Sequence, residues 1–211
     1  MAFFNLRDFY IFGAKIKLIL LSEIRSWFYE ILSVIPGRVG IWLRREIFSR
    51  CFGGSGRPYI DTGCHFEGVS SIFINGETRI GRNSFFIATG GVISIGNDVA
   101  FNSGVHINSS VGGAIEIGDH CLIGPNVVMR TAGHNFSDTG LLINTQGHLI
   151  GNIHIDQNVW IGAGSIILGG VKIGKGAIIG AGAVIVADIP AMSVAVGIPA
   201  KVIKYRDGRK V

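Results

Sequence analysis

Isoleucine stands at 155, 161, 167, 173, 179 and 185, returning every six positions through a glycine-rich stretch. A strand sends alternate side chains to opposite faces, so an inward position i shares its face with i+4 and with the next i at i+6. Such a repeat wants a bulky aliphatic at i, a small or medium residue at i+4, and turn formers between. Ile161/Ser165, Ile167/Val171, Ile173/Ala177 and Ile179/Ala183 obey, with Gly162, Gly174 and Gly180 at i+1. The frame extends upstream through Ile74/Thr78, Ile80/Ser84, Ile95/Val99, Phe101/Val105, Ile107/Val111, Ile117/Cys121 and Ile123/Val127. A fainter start lies at Ile60/Cys64 and Phe66/Ser70.

One strand and one tight corner use six residues, so three units close a triangular coil of about eighteen, which buries its inward side chains only under a neighbouring coil. The pattern predicts a parallel β-helix with rungs near 74–86, 95–107, 117–129, 155–167 and 173–185. The frame slips between Phe86 and Ile95 and between Ile107 and Ile117, which reads as corner insertions. It slips most between Met129 and Ile155, so about twenty residues must leave the coil there. A long segment projecting from a stiff scaffold is a favoured place for function.

Ahead of the repeats the period changes. Ile16, Leu20, Ile24, Phe28 and Ile31 recur at three and four, which predicts an amphipathic helix. Pro36–Gly37 breaks it, and IWLRREIFSRCF reads as a second short helix. The expected organisation is a helical appendage over 1–57, a coil over 58–190 with a projecting loop at 130–152, and a tail over 191–211.

Composition sharpens this picture. Hydrophobic content of 48% excludes disorder, and the 32 glycines lack the every-third spacing of collagen. The net charge of +5 sits wholly in the appendage: residues 1–57 hold nine Lys/Arg against four Asp/Glu, and 58–211 hold ten of each. No nucleic-acid partner is expected. Cys51, Cys64 and Cys121 are scattered without a CxxC pair, which points to a reducing compartment and away from a zinc knuckle. The apolar run YIFGAKIKLILL is interrupted by Lys15 and Lys17 and lacks a small-residue cleavage site, so neither a signal peptide nor a bilayer span is expected.

The repeats, and above all NVWIGAGSIILGGVKIGKGAIIGAGAVIVADIPAMSVAVGIPAKVIK, resemble the hexapeptide-repeat acyltransferases, in the branch that O-acetylates galactosides, maltose and polysaccharides. The likeness covers roughly 60–205. It implies a left-handed coil, a homotrimer with sites between neighbouring coils, and direct acetyl transfer from acetyl-CoA, with no metal. By this resemblance His134, where the chain leaves the coil, matches the catalytic histidine. Imidazole exchanges a proton near neutrality, which suits a base that must activate a hydroxyl. Asn102, two coils below the loop exit in linear order, matches an acceptor-contacting asparagine; a corner asparagine is the equally weighted alternative. Trp160 faces outward beside the implied acyl-CoA channel, or serves subunit packing. Ala163 and Ala181 match positions along the pantetheine arm, and Lys201 and Lys204 match basic positions near the coenzyme A nucleotide. Val186 replaces a hydroxyl found in some relatives. His106 and His154 point outward and could line the same cleft, though His65, His106, His120, His148 and His154 read first as surface residues.

The implied activity is acetylation of a sugar hydroxyl by a cytoplasmic enzyme of cell-surface polysaccharide biosynthesis. N-acetylation of an amino sugar nucleotide uses the same base and stays open. A zinc hydro-lyase resembling γ-class carbonic anhydrases would need three clustered imidazoles, and His148 and His154 lack the HxxxxH spacing. A silent scaffold is the remaining alternative. The appendage departs from the short caps of the galactoside and maltose enzymes. It reads as a cap over the first coil, or as a basic amphipathic surface over 1–50 that can lie on an anionic membrane.

Overall fold

A computed structural model describes residues 20 and 23–210. The stretch that follows the two helices is a parallel β-solenoid of about six turns, a left-handed β-helix. Its three faces are an eight-stranded, a six-stranded and a five-stranded sheet. The first face opens with Tyr59–Ile60 and Thr78–Ile80, the second with His65–Glu67 and Phe85–Ile87, the third with Ile72–Ile74 and Val92–Ile95. Each strand pairs in parallel and in register with the strand one coil on, as Ile80 with Phe101 and Ile155 with Ile173 show.

Register explains the period. The i residues stack as inward columns: Ile60, Ile80, Phe101, Ile123, Ile161 and Ile179 on the first face, and Ile74, Ile95, Ile117, Ile155 and Ile173 on the third, all buried. Serine is tolerated at i+4 because its hydroxyl donates to corner carbonyls. Ser165 Oγ reaches Gly162 O at 2.9 Å and Gly180 O at 3.0 Å. Corners also force close approach: a Cβ on Gly162 would stand 2.5 Å from Ala181 N of the next coil.

Two expected inward positions face out. Val111 is 42% exposed with φ of 55°, and Ser70 is exposed in the middle of a 3-10 turn at Val69–Ser71. Both lie on the second corner, between the second and third faces. The insertions at 68–71, 88–91, 109–113 and 131–152 all fall there, so one edge of the prism absorbs every large departure from the six-residue frame. The last and longest is more than a loop. Ala132–His134 and His148–Ile150 pair as an antiparallel hairpin, with a 3-10 turn at Ile143–Thr145. At the other end, Ser193–Val196 pairs in parallel with Ile178–Ile179 and carries the first face into the 191–211 tail, where Lys201–Tyr205 folds back antiparallel.

Helix α1 (residues 23–34) and helix α2 (Gly37–Cys51) precede the coil. Ile16 of the apolar stripe lies outside the described residues. The rest of the stripe does not cap the core: Leu20, Ile24, Phe28 and Ile31 are between 48% and 64% exposed. Leu32 from α1 and Phe48 and Phe52 from the α2 region do the capping, with the Phe48 ring packed at a tilt of 52° and 4.8 Å from Phe66 of the first coil. The pattern reported a face that is apolar without saying what covers it.

Arg44 clamps this end. It is fully buried, and donates from Nε to Ile60 O at 3.0 Å and from Nη1 to Leu32 O at 3.1 Å and Ile35 O at 2.8 Å. Carbonyls at a helix C-terminus have no intrahelical donors, so a guanidinium there is favourable. Burial lowers its pKa from the ordinary value. Gly40 lets α1 and α2 meet, since a Cβ there would overlap Ile35 O.

Candidate active site

His134 sits on the second corner, held by the hairpin. Its cross-strand partner is His148, and the two rings lie 4.7 Å apart at 37°. The hairpin closes just beyond them: Asn135 donates from its backbone N to Gly147 O at 3.1 Å and from Nδ2 to Gln146 O at 3.1 Å. Gln146 orders the tip, donating from Nε2 to Asp138 O at 2.8 Å while its Oε1 accepts from Asp138 N at 3.1 Å. His134 and His148 are both exposed, so a substrate can reach either ring. Around them Phe136, Leu141, Leu142 and Leu149 are more than half exposed. A cavity of about 460 Å³ opens at the hairpin root between Thr131, Leu149, Ile150 and Leu168.

The other implied residues are elsewhere. Asn102 does not lie beneath the exit of the excursion; it is on the first corner, between the first and second faces. Its Oδ1 accepts from Ser103 N at 2.7 Å, a corner-forming bond that leaves its amide N–H groups exposed to solvent. Ala163 and Ala181 lie on this same corner in later coils, both exposed, with Gly182 N donating to Ala163 O at 2.8 Å. Their small side chains leave a narrow open strip up the edge. Trp160 stands on the adjoining first face, 53% exposed, in the outward row between Leu122 and Ile178. Val186 is exposed at the far end of the second face. Lys201 and Lys204 lie on the terminal antiparallel strand, opposite Val196 and Val194, both exposed. One prism therefore gathers Asn102, Trp160, Ala163, Ala181, Lys201 and Lys204 along one edge and its flank, and sets His134 a full face away.

The remaining histidines separate too. His106 and His154 cannot line one cleft in a single prism, because His106 is on the second face and His154 on the third. His154 Nδ1 is 3.0 Å from Glu116 Oε2, and His120 Nδ1 is 3.1 Å from Asp98 Oδ2. His65 lies between Glu30 of α1 and Glu67, at 3.1 and 3.0 Å. His106 packs edge-on to Phe85 at 5.7 Å; burial, then the nearby Arg130 charge, holds its pKa below the ordinary value. His148 and Gln146 were not distinguishable as site residues in the sequence, because only hairpin register puts them beside His134. Among the described residues no group of three His, Cys, Asp or Glu side chains stands close enough to hold a metal ion.

Comparison with known proteins bears on this arrangement. The family described as bacterial transferase hexapeptide (six repeats) matches residues 152–187. A galactoside O-acetyltransferase from Lactococcus lactis is 38% identical over 133 residues, which are 59% of this chain and 61% of the relative. The chain thus spans about three fifths of that relative's length. A galactoside acetyltransferase in complex with coenzyme A superposes with a TM-score of 0.57 at 29% identity, covering 86% of this chain and 78% of that one. AntD, an N-acyltransferase from Bacillus cereus in complex with dTDP and 3-hydroxybutyryl-CoA, superposes with a TM-score of 0.67 at 22% identity, over 77% and 88% of the two chains. At that identity the likeness to AntD is one of fold.

Proposed function

We propose that this chain, which belongs to the hexapeptide-repeat acyltransferases, is an acetyl-CoA-dependent acetyltransferase acting on a sugar hydroxyl. The observation that carries the reading is the division of labour between two edges. A hairpin presents the His134 imidazole on the second corner, while Asn102, Ala163 and Ala181 line a small-residue strip on the first. Acetyl-CoA supplies an activated thioester carbonyl, so no acyl-enzyme is needed. The acceptor oxygen attacks that carbonyl, its proton passes to His134, and the carbon–sulfur bond breaks. The departing thiolate then takes the proton back from His134. Asn102 offers amide N–H donors to orient the acceptor, and the strip admits an amide-rich extended arm close to coil backbone. Lys201 and Lys204 place positive charge where the anionic nucleotide end would lie.

Because base and strip are on different edges, the working unit in this reading is a homotrimer, with His134 of one protomer facing the 160–204 region of the next. The exposed Phe136, Leu141 and Leu142 on the hairpin support such a neighbour. The setting is cell-surface glycan biosynthesis in the cytoplasm. The outward apolar stripe of α1, with Trp27 at 69% exposure near Arg25, and Trp42 of α2, at 60% and near Arg38, support peripheral contact with an anionic membrane. Among the described residues no helix is long and apolar enough to cross one.

The test is release of free thiol from acetyl-CoA in the presence of galactosides and of amino sugars, with the wild type and His134→Ala. Ester products are cleaved by mild base and amides are not, which separates O- from N-transfer. Full turnover by His134→Ala on its best acceptor would end the proposal.

A further inference from the structure

At the helix end of the prism, remote from His134, a cavity of about 480 Å³ lies between α2 and the first two strands of the first face. It is lined by Arg45, Arg57, Tyr59, Glu77, Thr78 and Arg79. Tyr59 and Arg79 are register partners on adjacent strands, so both project outward into it. Arg57 pairs with Glu46, a residue of α2. Arg45 meets Glu77 only loosely, at 3.6 Å, and the Glu77 side chain is 82% exposed. Among the described residues Arg79 makes no ion pair.

One polar atom here lacks a partner: Arg45 Nε is buried and has no hydrogen-bond partner. An unsatisfied donor on a charged group is costly, so the cluster is built for an acceptor that the chain itself does not provide. Three guanidinium groups converge on one cavity with a weakly held carboxylate at its mouth. Guanidinium forks match oxyanions bidentately, and a phosphoryl group offers several oxygens and close to two charges.

We propose that this cavity binds a phosphoryl group, with Arg45 and Arg79 as its principal donors and Glu77 as the carboxylate it displaces. The group can belong to a soluble phosphoryl compound or to a lipid headgroup. Arg38, Trp42 and Arg45 recur at four and three along α2, so the exposed Trp42 indole shares a helix face with the cavity rim. The site goes beyond acetyl transfer and does not depend on it.

The experiment uses the full chain in two arms. Calorimetry with inorganic phosphate reads the soluble source. Flotation with phosphatidylcholine vesicles, plain or carrying phosphatidic acid or the phosphodiester phosphatidylglycerol at matched charge, reads the headgroup. Saturable phosphate binding supports a soluble ligand, and selective flotation with phosphatidic acid supports a headgroup. In whichever arm binds, Arg79→Gln should weaken binding about tenfold, the loss of one charged hydrogen-bonding group. Glu77→Gln should tighten it, a gain that a damaged fold cannot produce. Absence of binding in both arms, or the same affinity in both variants as in the wild type, overturns the proposal. No arm reads acetyl transfer, so failure here leaves the catalytic reading standing.

Discussion

His134 and His148 face each other across the neck of the hairpin, ring centroids 4.7 Å apart. In the proposed mechanism the second histidine acts as a positioning group for the first. His134→Ala should lower kcat by roughly 10²–10⁴-fold, the range of a lost general base. His148→Gln should cost less, because it removes the ring beside His134 and leaves the proposed base in place. Steady-state kinetics on both variants checks this; equal losses would make the two histidines one catalytic unit.

The separation of His134 from Asn102 makes a complementation experiment decisive. Asn102→Ala and His134→Ala proteins should each be strongly impaired as pure species. Coexpressed with different tags and purified through both, they should recover measurable turnover, because an Asn102 from one chain then meets a His134 from another. No recovery would place the whole site within a single prism.

Lys201→Gln with Lys204→Gln should raise KM for acetyl-CoA about tenfold with little change in kcat, as expected for charge that acts on binding alone. The effect should shrink with dephospho-coenzyme A thioesters and at high salt.

Cys64 and Cys121 should be silent in the native protein. Each donates to a backbone carbonyl, Gly81 O at 3.2 Å and Asp156 O at 3.1 Å, and burial pushes both thiols up to about 11. Titration with a disulfide reagent at pH 8 should modify at most one thiol per chain, the partly exposed Cys51, and all three after unfolding.

His106 gives a stability signature. Its folded pKa lies below the ordinary 6.5, so the unfolded chain binds the proton more readily. Stability should be fully present above 6.5 and fall as pH drops from there towards the lowered folded value. Thermal melting at pH 7.5 and pH 5 should show a smaller difference for His106→Gln than for the wild type.

The solenoid was legible because stacking is a local rule repeated. Ile161, Ile167 and Ile173 each need only a neighbour six residues away and a coil above, so the period alone named the inward columns and the place where they fail. It misjudged Val111 and Ser70, where a corner insertion reverses the direction of a side chain that would otherwise point inward. How the implied site residues group in space was not legible. Asn102 and His134 are near in sequence but fall on different corners, which depends on counting each strand to its face.

The order of residues alone therefore determined a triangular parallel coil, its inward columns, the excursion carrying His134, and the basic, apolar N-terminal appendage. Tertiary structure decided which edge bears His134, that its neighbour is His148, that the α1 stripe faces outward, and that Arg45, Arg57 and Arg79 surround one cavity. The reason is the range of the interactions. Inward packing repeats with a fixed short period, whereas edges, hairpin register and the helix–coil junction arise from contacts between residues far apart in the chain, which no local pattern encodes.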